Sequence, residues 1–592
     1  MQDQTKQTYA RKLAQTHSLE ELLRASEIVA YKNNSPATKK VLKMLRMKSE
    51  VWAKNILNKF DKKEIRQSSI EKCLMLKTRL SLSKRKYRGI GSFIRREMGQ
   101  KLVSWNDIMN YRNQIIPEFS KPAEDKGYLS VEVSVRNLIQ NDVERLMELQ
   151  EIRSKLNSIT TEGVVECTMH VSAGPDSATG FSHYNQAKFL ARDDSLFTEH
   201  FMSMRLESNN IILYEVPNPQ SDMFCRVRRM SWTKETDDLT REMYDQFFEE
   251  IDEINVEPIA VQIENVTLRV KAKAIYSMID GKAANAIVGN RNTHACPLCP
   301  PYYGISKNLG PSFFHARLNA VEWLMRNAAK KAVPGNLAQS HPKVREQARS
   351  QADELEQIFK MNINRPKIGG CGSSNNGNMS RILLDAPKKF ATVLNVKVNL
   401  VENLRLISSL ALSSRKLRPE KVKQLYDTLE RQIFEEFSFV KHIPPSIHKY
   451  KHLAEFAEKL VSNSFFKFFK LHNTVLYFQP FTMNYIDEQS GERCHKRHKF
   501  SRPHLSRKTS AEDNLTDMVR AALSWSDPKM SFMAYNTTDY TKSSKIDQGF
   551  EAQILEYIDS DEATPSNKIS SFNYCGGIFN DSSESECEDD DE

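Results

Sequence analysis

The sequence predicts a mixed α/β fold with large helical parts, and two patterns support this prediction. Between residues 161 and 305, runs of β-branched and apolar residues are separated by Asn, Pro, Ser or acidic breaks, which is typical of a sheet. After Pro301, apolar residues recur at helical spacing, as in Leu425, Leu429 and Ile433. Hydrophobic residues make up 40% of the chain and charged residues 27%. This ordinary globular composition excludes a wholly disordered chain.

The first segment, residues 1–105, is predicted to be a basic, helical DNA-binding region. From Lys32 to Lys101 the chain has 21 basic and 5 acidic residues. Within it, SKRKYRGIGSFIRR places aromatic residues between clustered cations, a pattern that suits phosphate neutralisation and stacking. A solvated basic helix is the alternative. The predicted DNA contacts are Lys84, Arg85, Lys86, Arg88, Arg95 and Arg96.

Five further segments complete the predicted organisation. Residues 106–160 are expected to form a helical connector that could take part in dimerisation. The predicted strands of the next segment, 161–305, are 164–171, 201–206, 211–216, 224–232 and 268–279, and a Gly-Pro-Asp turn follows the first. Residues 306–460 are predicted to be helical apart from a glycine and asparagine loop at Gly369–Asn378. Residues 461–545 follow, and 546–592 are predicted to be a disordered acidic tail, whose last twelve residues hold eight acids and no base.

The sequence also bears on cellular compartment. The start has no apolar signal region, and no stretch approaches the roughly 18 consecutive apolar residues of a membrane span. We therefore expect a soluble, intracellular protein with no membrane partner. The nine cysteines are thinly spread and odd in number, which predicts reduced thiols rather than a disulfide scaffold.

Two cysteines and two histidines could bind a metal. Cys296 and Cys299 form a CxxC pair after a predicted strand, and His448 and His452 are four residues apart, on one face if that stretch is helical. The separation of about 150 residues is far too long for a classical zinc finger. A redox CxxC and two incidental thiols are the competing interpretations.

Three carboxylates stand out, although each has an ordinary explanation. Asp176 lies in AGPDSATG, where Asp is usual turn chemistry. Asp280 precedes Gly at the end of a predicted strand, which is also a hairpin signal. Glu492 stands four residues before Lys496, as in a surface ion pair on a helix.

The order of the motifs connects these residues. Along the chain follow GPDSATGFSHYNQAKF, IYSMIDGKAANAIVGNRNTHACPLC, SSNNGNMSR, IPPSIHKYKHL and ERCHKRHKFSRPHLSRKTSAEDNLTDM. Over approximately residues 160 to 530 this order and spacing resembles the Transib transposase family, which is related to the catalytic subunit of the V(D)J recombinase. The resemblance implies an RNase H-like catalytic core formed by residues 161–305 and 461–545. A helical insertion with zinc-binding ends, residues 306–460, would interrupt that core.

The resemblance also implies the active site. Asp176, Asp280 and Glu492 match the catalytic Asp, Asp and Glu, which would hold two Mg2+ or Mn2+ ions for cleavage of a phosphodiester. The family has an asparagine where this chain has His495, so Glu488 is kept as the fallback for the third carboxylate.

The remaining site residues follow from the same motifs. Cys296, Cys299, His448 and His452 would hold a structural Zn2+, although the family places its second histidine one position later, at Leu453 here. The predicted DNA contacts in this region are Asn378, Arg381, Lys496, Arg497 and Lys499. The basic run beside Glu492 could equally be a nuclear localisation signal.

The resemblance therefore implies a nuclear DDE transposase or endonuclease. It would cut and join double-stranded DNA at terminal inverted repeats, by a nick followed by a hairpin, as a homodimer and with an accessory protein partner. One alternative is a domesticated DNA-binding or chromatin protein that does not cleave. A zinc-stabilised helical interaction protein is the other.

Overall fold

The protein is described here by a computed structural model. The residues it describes are 70–98, 102–125, 127–179, 181, 194–209, 211–290, 296–299, 308–310, 312–363, 377–413, 417–461, 489–537 and 548–558. The chain divides into two compact units, Met1–Tyr111 and Arg112–Glu592, and each is treated by itself.

The described part of the first unit is helical, as the sequence predicts. Its helices are α1 (Ile70–Arg79), α2 (Lys84–Met98) and α3, which begins at Trp105 and ends at Ile115 in the second unit. Residues 1–69 of the predicted basic region lie outside the described residues. A small core of Cys73, Leu82, Tyr87 and Ile108 holds these helices together.

The second unit contains an eight-stranded sheet. The strands are β1 (Ala123–Asp125), β2 (Tyr128–Glu132), β3 (Gly163–Thr179), β4 (Ser195–Ser208), β5 (Ile211–Glu215), β6 (Arg226–Trp232), β7 (Ile259–Ile263) and β8 (Val266–Tyr276). Their order is β1-β2-β6-β4-β3-β8-β7, and β5 also pairs with β4. β3 and β8 run parallel, and the other described pairs are antiparallel. The fold of this unit is therefore mixed α/β.

The five predicted strands are all present, but the turn predicted at Gly174-Pro175-Asp176 is wrong. β3 continues to Thr179, and Asp176 is paired with Thr198 of β4. β8 accompanies β3 only as far as Ala173, so the end of β3 has a strand partner on one side. A proline is tolerated in such a one-sided stretch because no second ladder requires its missing N–H.

The predicted connector, residues 106–160, is only partly helical. It contains α4 (Val135–Met147) and α5 (Gln150–Ile159), but also β1 and β2. β2 alternates between half-buried and buried residues and pairs with β6 on one side and with the edge strand β1 on the other. This period of two explains why the segment YLSVE extends the sheet.

Helices make up the rest of the described second unit. They are α6 (Asp237–Val256), α7 (Gly281–Ile287), α8 (Phe313–Ala332), α9 (Pro342–Phe359), α10 (Gly377–Asp385), α11 (Pro387–Leu394), α12 (Val398–Leu410), α13 (Pro419–Glu436), α14 (Pro445–Val461), α15 (Gln489–Leu505), α16 (Ala511–Trp525), α17 (Pro528–Thr537) and α18 (Gln548–Leu555). Most of the glycine and asparagine loop lies outside the described residues, and its last two residues begin α10. None of the described helices is long and apolar enough to cross a membrane.

Helix α18 corrects the predicted start of the disordered tail at residue 546. Phe550, Ile554 and Ile558 are buried at intervals of four residues, which gives α18 one apolar face. Arg405 of α12 lies over the Phe550 ring, 3.5 Å from its centroid, and Arg418 donates from its backbone N–H to the Tyr557 carbonyl at 2.8 Å. Residues 548–558 therefore pack against the helical segment 306–460. Residues 559–592 lie outside the described residues.

The centre of the sheet contains buried ion pairs. All residues of β4 are buried, and Arg228 of β6 pairs there with Glu199 of β4 and Glu250 of α6. Tyr276 at the end of β8 donates its hydroxyl to Glu199 at 2.9 Å. Buried charges need such partners, so this network fixes the register of three strands beside the segments that carry Asp176 and Asp280.

Candidate active site and metal centres

Asp176 and Asp280 approach each other because two neighbouring strands end side by side. Beyond the last β3–β8 pair, the Met278 backbone N–H donates to the Ala173 carbonyl at 3.1 Å. A Cβ on Gly174 would lie 2.3 Å from the Met278 carbonyl oxygen, so only glycine permits this approach. The Asp176 carboxylate accepts from the Ser177 N–H at 2.8 Å.

Asp280 is the N-cap of helix α7. Its Oδ1 accepts a hydrogen bond from the backbone N–H of Ala283 at 2.7 Å. The hairpin that Asp-Gly could have signalled is not formed, since the chain enters α7 directly. Capping fixes the carboxylate at the start of the helix, where the helix dipole favours a negative charge.

Glu492 comes from the first turn of α15, far along the chain. Glu492 contacts His315 of α8, whose Nε2 lies 3.2 Å from Glu492 Oε1. One turn further along α15, His495 Nε2 lies 2.7 Å from Asp176 Oδ2. Two histidines therefore hold the first and third candidate carboxylates. Glu488 lies outside the described residues.

The three carboxylates are close enough to affect each other. Burial raises the pKa of Asp176 above its ordinary value, the charges of Glu492 and Asp280 raise it further, and His495 opposes the shift. Burial alone would lower the pKa of His495, but Asp176 and Glu492 raise it above its usual value. The structure thus brings together the three carboxylates predicted from sequence.

A fourth carboxylate, Glu235, belongs to the same cluster. Burial raises its pKa, Asp280 and Asp176 add to the shift, and Lys282 opposes it. Lys282 Nζ lies 3.2 Å from Glu235 Oε2, and the Ser177 hydroxyl donates to the same oxygen at 3.3 Å. Nothing in the sequence distinguished Glu235 from neighbouring acids, because its relation to Asp176 exists only in the folded sheet.

The carboxylate cluster is not drawn tightly together. Among the described residues, two other groups of side chains have all their ligand atoms within 4.8 Å of one another, and the carboxylates do not form such a group. Like charges repel at short range, and His315 and His495 occupy oxygen atoms that a cation would use.

The first tight group is Cys296, Cys299, His448 and His452. Within it, Cys299 Sγ lies 3.2 Å from His448 Nε2 and 3.3 Å from His452 Nε2, and Cys296 Sγ lies 3.5 Å from His452 Nε2. Tetrahedral zinc with bonds of about 2.3 Å to sulfur and 2.0–2.1 Å to nitrogen places ligand atoms roughly 3.4 to 3.8 Å apart. The group is compatible with a structural metal ion.

The spacing of the two histidines is explained by α14. Both lie on this helix four residues apart, so both rings face the CxxC turn, with ring centroids 5.3 Å apart. His452 Nδ1 contacts Glu455 Oε2 at 2.8 Å, which leaves Nε2 directed to the sulfur atoms. Such a carboxylate partner fixes the ring orientation of a metal-binding histidine.

The side chains predicted to contact DNA differ in their exposure. Exposed side chains are Lys84, Arg85, Lys86, Arg88, Asn378, Lys496 and Lys499. Arg381 is half-buried on α10, and the side chains of Arg95 and Arg96 lie outside the described residues. Arg497 pairs with Asp222 at 2.6 Å and lies 3.0 Å from the Trp525 ring centroid, so its guanidinium already has a structural role.

Comparisons with known proteins add little. No protein-family model matches the sequence, and no curated protein matches it. Among solved structures, one match is the Drosophila P element transposase strand transfer complex, at 10% identity and a TM-score of 0.28. That match covers 83% of this chain and 100% of the other. A similarity at this level carries no argument about the protein.

Proposed function

We propose that the protein is a metal-dependent DNA transposase or endonuclease of the Transib-like type. The observation that carries this proposal is the convergence of Asp176, Asp280 and Glu492 from a strand end, a helix N-terminus and a distant helix. Burial raises the pKa of Asp176, and the neighbouring carboxylates Glu492 and Asp280 add to the shift by charge repulsion. Divalent cations relieve such repulsion.

The fold supports the same proposal. The first aspartate lies on β3, and the second follows β8, its parallel neighbour in the sheet. Between the second aspartate and Glu492, the described chain is helical and contains the Cys2His2 group. This arrangement is the one expected of an RNase H-like core interrupted by a zinc-containing insertion.

The chemistry would be two-metal phosphoryl transfer. The chemistry that two bound Mg2+ ions would supply is activation of the attacking oxygen and stabilisation of the leaving oxygen of the phosphodiester. Asp176, Asp280 and Glu492 would hold them, while the cap hydrogen bond keeps Asp280 in place. For the ions to bind, His315 must give up its contact with Glu492 and His495 its contact with Asp176. Both histidines would therefore set how readily the carboxylates take up metal.

DNA would bind through exposed cations on two helices, which lie in different units. On α2, Lys86 and Arg88 are exposed whereas Tyr87 between them is buried, with its hydroxyl bonded to the Val103 carbonyl at 2.8 Å. Tyr87 therefore packs the core, leaving the cations to contact phosphates. On α15, Lys496 and Lys499 are exposed beyond Glu492, on the same helix as a catalytic carboxylate.

A cleavage assay tests the proposal. The purified protein is incubated with DNA carrying candidate terminal inverted repeats in Mg2+ or Mn2+, and nicks and hairpins are resolved on denaturing gels. We expect products from the wild type and from Glu346→Gln, an exposed acid on α9, and none from Asp176→Asn, Asp280→Asn or Glu492→Gln. An active Asp280→Asn enzyme would falsify the assignment.

Binding measured in parallel separates cleavage from recognition. Because cations supply most of the affinity, the carboxylate variants should retain it, whereas Lys86→Ala should weaken binding and reduce the salt slope by about one. Tight, salt-sensitive binding by the wild type without cleavage would favour the domesticated, non-cleaving protein. Nuclear localisation, a homodimer that holds two DNA ends, and an accessory partner belong to the same proposal.

A further inference from the structure

A second group of thiols and imidazoles lies beneath α15. It consists of His200 on β4, Cys225 immediately before β6 and Cys494 on α15, whose ligand atoms all lie within 4.8 Å of one another. The three side chains are buried, with exposed fractions of 1%, 4% and 5%. This group shares no residue with the Cys2His2 group.

Several contacts bring α15 onto these residues. A Cβ on Gly491 would lie 3.0 Å from His200 Cδ2, so glycine allows the helix to approach the imidazole closely. Arg493 donates to the Gln220 carbonyl at 2.8 Å, and Arg497 pairs with Asp222 in the same loop before β6. The loop and helix thus hold Cys225 and Cys494 beside each other.

The polar atoms of this group are poorly satisfied by the protein. His200 Nε2 has no hydrogen-bond partner among the described residues, although the ring is buried. The contacts of the thiols are long: Cys494 Sγ lies 3.9 Å from the Cys225 carbonyl oxygen, and Cys225 Sγ lies 3.9 Å from that of Arg226. A buried imidazole nitrogen without a partner is costly, and a metal ion is one group that would satisfy it.

We propose that His200, Cys225 and Cys494 bind a Zn2+ ion. Two thiolates and one imidazole are the ligands that zinc prefers, and small side-chain rotations from within 4.8 Å reach the roughly 3.4 to 3.8 Å separations of a tetrahedral site. His498, on the next turn of α15, is a candidate for a further ligand. Its ring is parallel to that of His200 at 5.9 Å, and its Nδ1 also lacks a described partner.

The role of this ion would be structural. Cys494 stands two residues after Glu492, and His200 is paired with Gly174 two residues before Asp176. An ion bound here would join the helix that carries the third carboxylate to the strands that carry the first. Burial of all three ligands keeps it away from DNA and distinguishes it from the carboxylate site.

Metal content of the full chain tests this proposal without any activity measurement. Protein produced in zinc-supplemented medium is analysed by elemental mass spectrometry, as wild type, Cys225→Ser and Cys167→Ser. Cys167 is another buried thiol, on β3 and outside both groups. We expect Cys225→Ser to contain one zinc ion fewer per chain than the wild type, and Cys167→Ser to contain the same number.

Cobalt substitution gives a second measurement. The intensity of the thiolate-to-cobalt absorption scales with the number of bound thiolates, so Cys225→Ser should lose part of the wild-type signal, and Cys299→Ser should lose a separate part. If Cys225→Ser does not fold, Cys299→Ser decides, because it disrupts the Cys2His2 group and should still retain metal bound by the thiolates of Cys225 and Cys494. A folded Cys225→Ser protein with unchanged zinc content overturns the proposal. So does a Cys225–Cys494 disulfide in wild type purified from zinc-supplemented medium.

Discussion

The Cys2His2 group and the carboxylate cluster are two candidate metal sites in one unit, and they are built differently. The thiol and imidazole atoms already lie within 4.8 Å of one another, whereas the carboxylates do not form such a group and two of them contact histidines. Neutral thiols and imidazoles can approach without an ion, but ionised carboxylates repel. A preassembled site suits a structural ion, and an open, charged site suits ions that arrive with DNA.

The largest expected effect is at Asp280, where a substitution should abolish most of the cleavage activity while changing stability little. Asp280→Asn should lower cleavage by at least about a thousandfold, or ~4 kcal/mol of barrier, because a metal ligand loses its charge. The amide oxygen can still accept from the Ala283 N–H, so stability should change little. Asp280→Ala should also lose about 1 kcal/mol of capping energy. Cleavage rates and denaturant unfolding measure the two effects.

At the Cys2His2 group, a substitution should change the stability of the protein more than the chemistry of cleavage. His452→Ala should remove zinc and lower the free energy of unfolding by an amount on the order of several kcal/mol, since metal binding contributes directly to folding. The matched control is His442→Ala, an exposed histidine shortly before α14. Zinc content and thermal melting are measured together. A melting temperature of His452→Ala equal to that of the control would exclude a structural metal here.

The pH dependence of the metal-free protein sharpens the comparison. Burial and neighbouring acids raise the pKa values of Asp176 and Glu235, so the folded state binds protons more tightly than the unfolded chain. The contribution of these two carboxyls to stability in EDTA should therefore be largest below the ordinary carboxyl range and be lost as pH rises through the raised values. Mg2+ should flatten this decline. Melting curves against pH that are identical for wild type and Asp176→Asn would contradict it.

The smallest effect is expected at His315. Its ring competes with a cation for Glu492 Oε1, so His315→Gln should lower the Mg2+ concentration that gives half-maximal cleavage by a few-fold, about 1 kcal/mol or less. Titration of cleavage with Mg2+ measures the shift. A higher Mg2+ requirement would instead show that His315 orients Glu492 for binding.

The sequence predicted much of the site but not its supporting contacts. The convergence of Asp176, Asp280 and Glu492 and the grouping of the two cysteines with the two histidines agree with the geometry. In the sequence, His495 stands out only as a departure from a motif, and Glu235 does not stand out from neighbouring acids. No local pattern marks such residues, because their partners are brought near by the fold.

The two wrong predictions about the fold have a similar origin. Local chemistry favoured a turn around Asp176, yet pairing with β4 extends β3 through it. Polarity of the C-terminal segment favoured disorder from residue 546, yet three apolar residues of α18 and its flank become buried. In both places a long-range partner outweighed the local preference.

By itself, the sequence predicted which side chains could bind metal and which stretches form strands and amphipathic helices, since residue type and periodicity are local properties. Only the tertiary structure decided that His315 and His495 hold the carboxylates, that Glu235 joins them, and that His200 meets two cysteines under α15. These contacts join residues far apart in the chain. They form because burial of the sheet and its helices fixes positions that no sequence window contains.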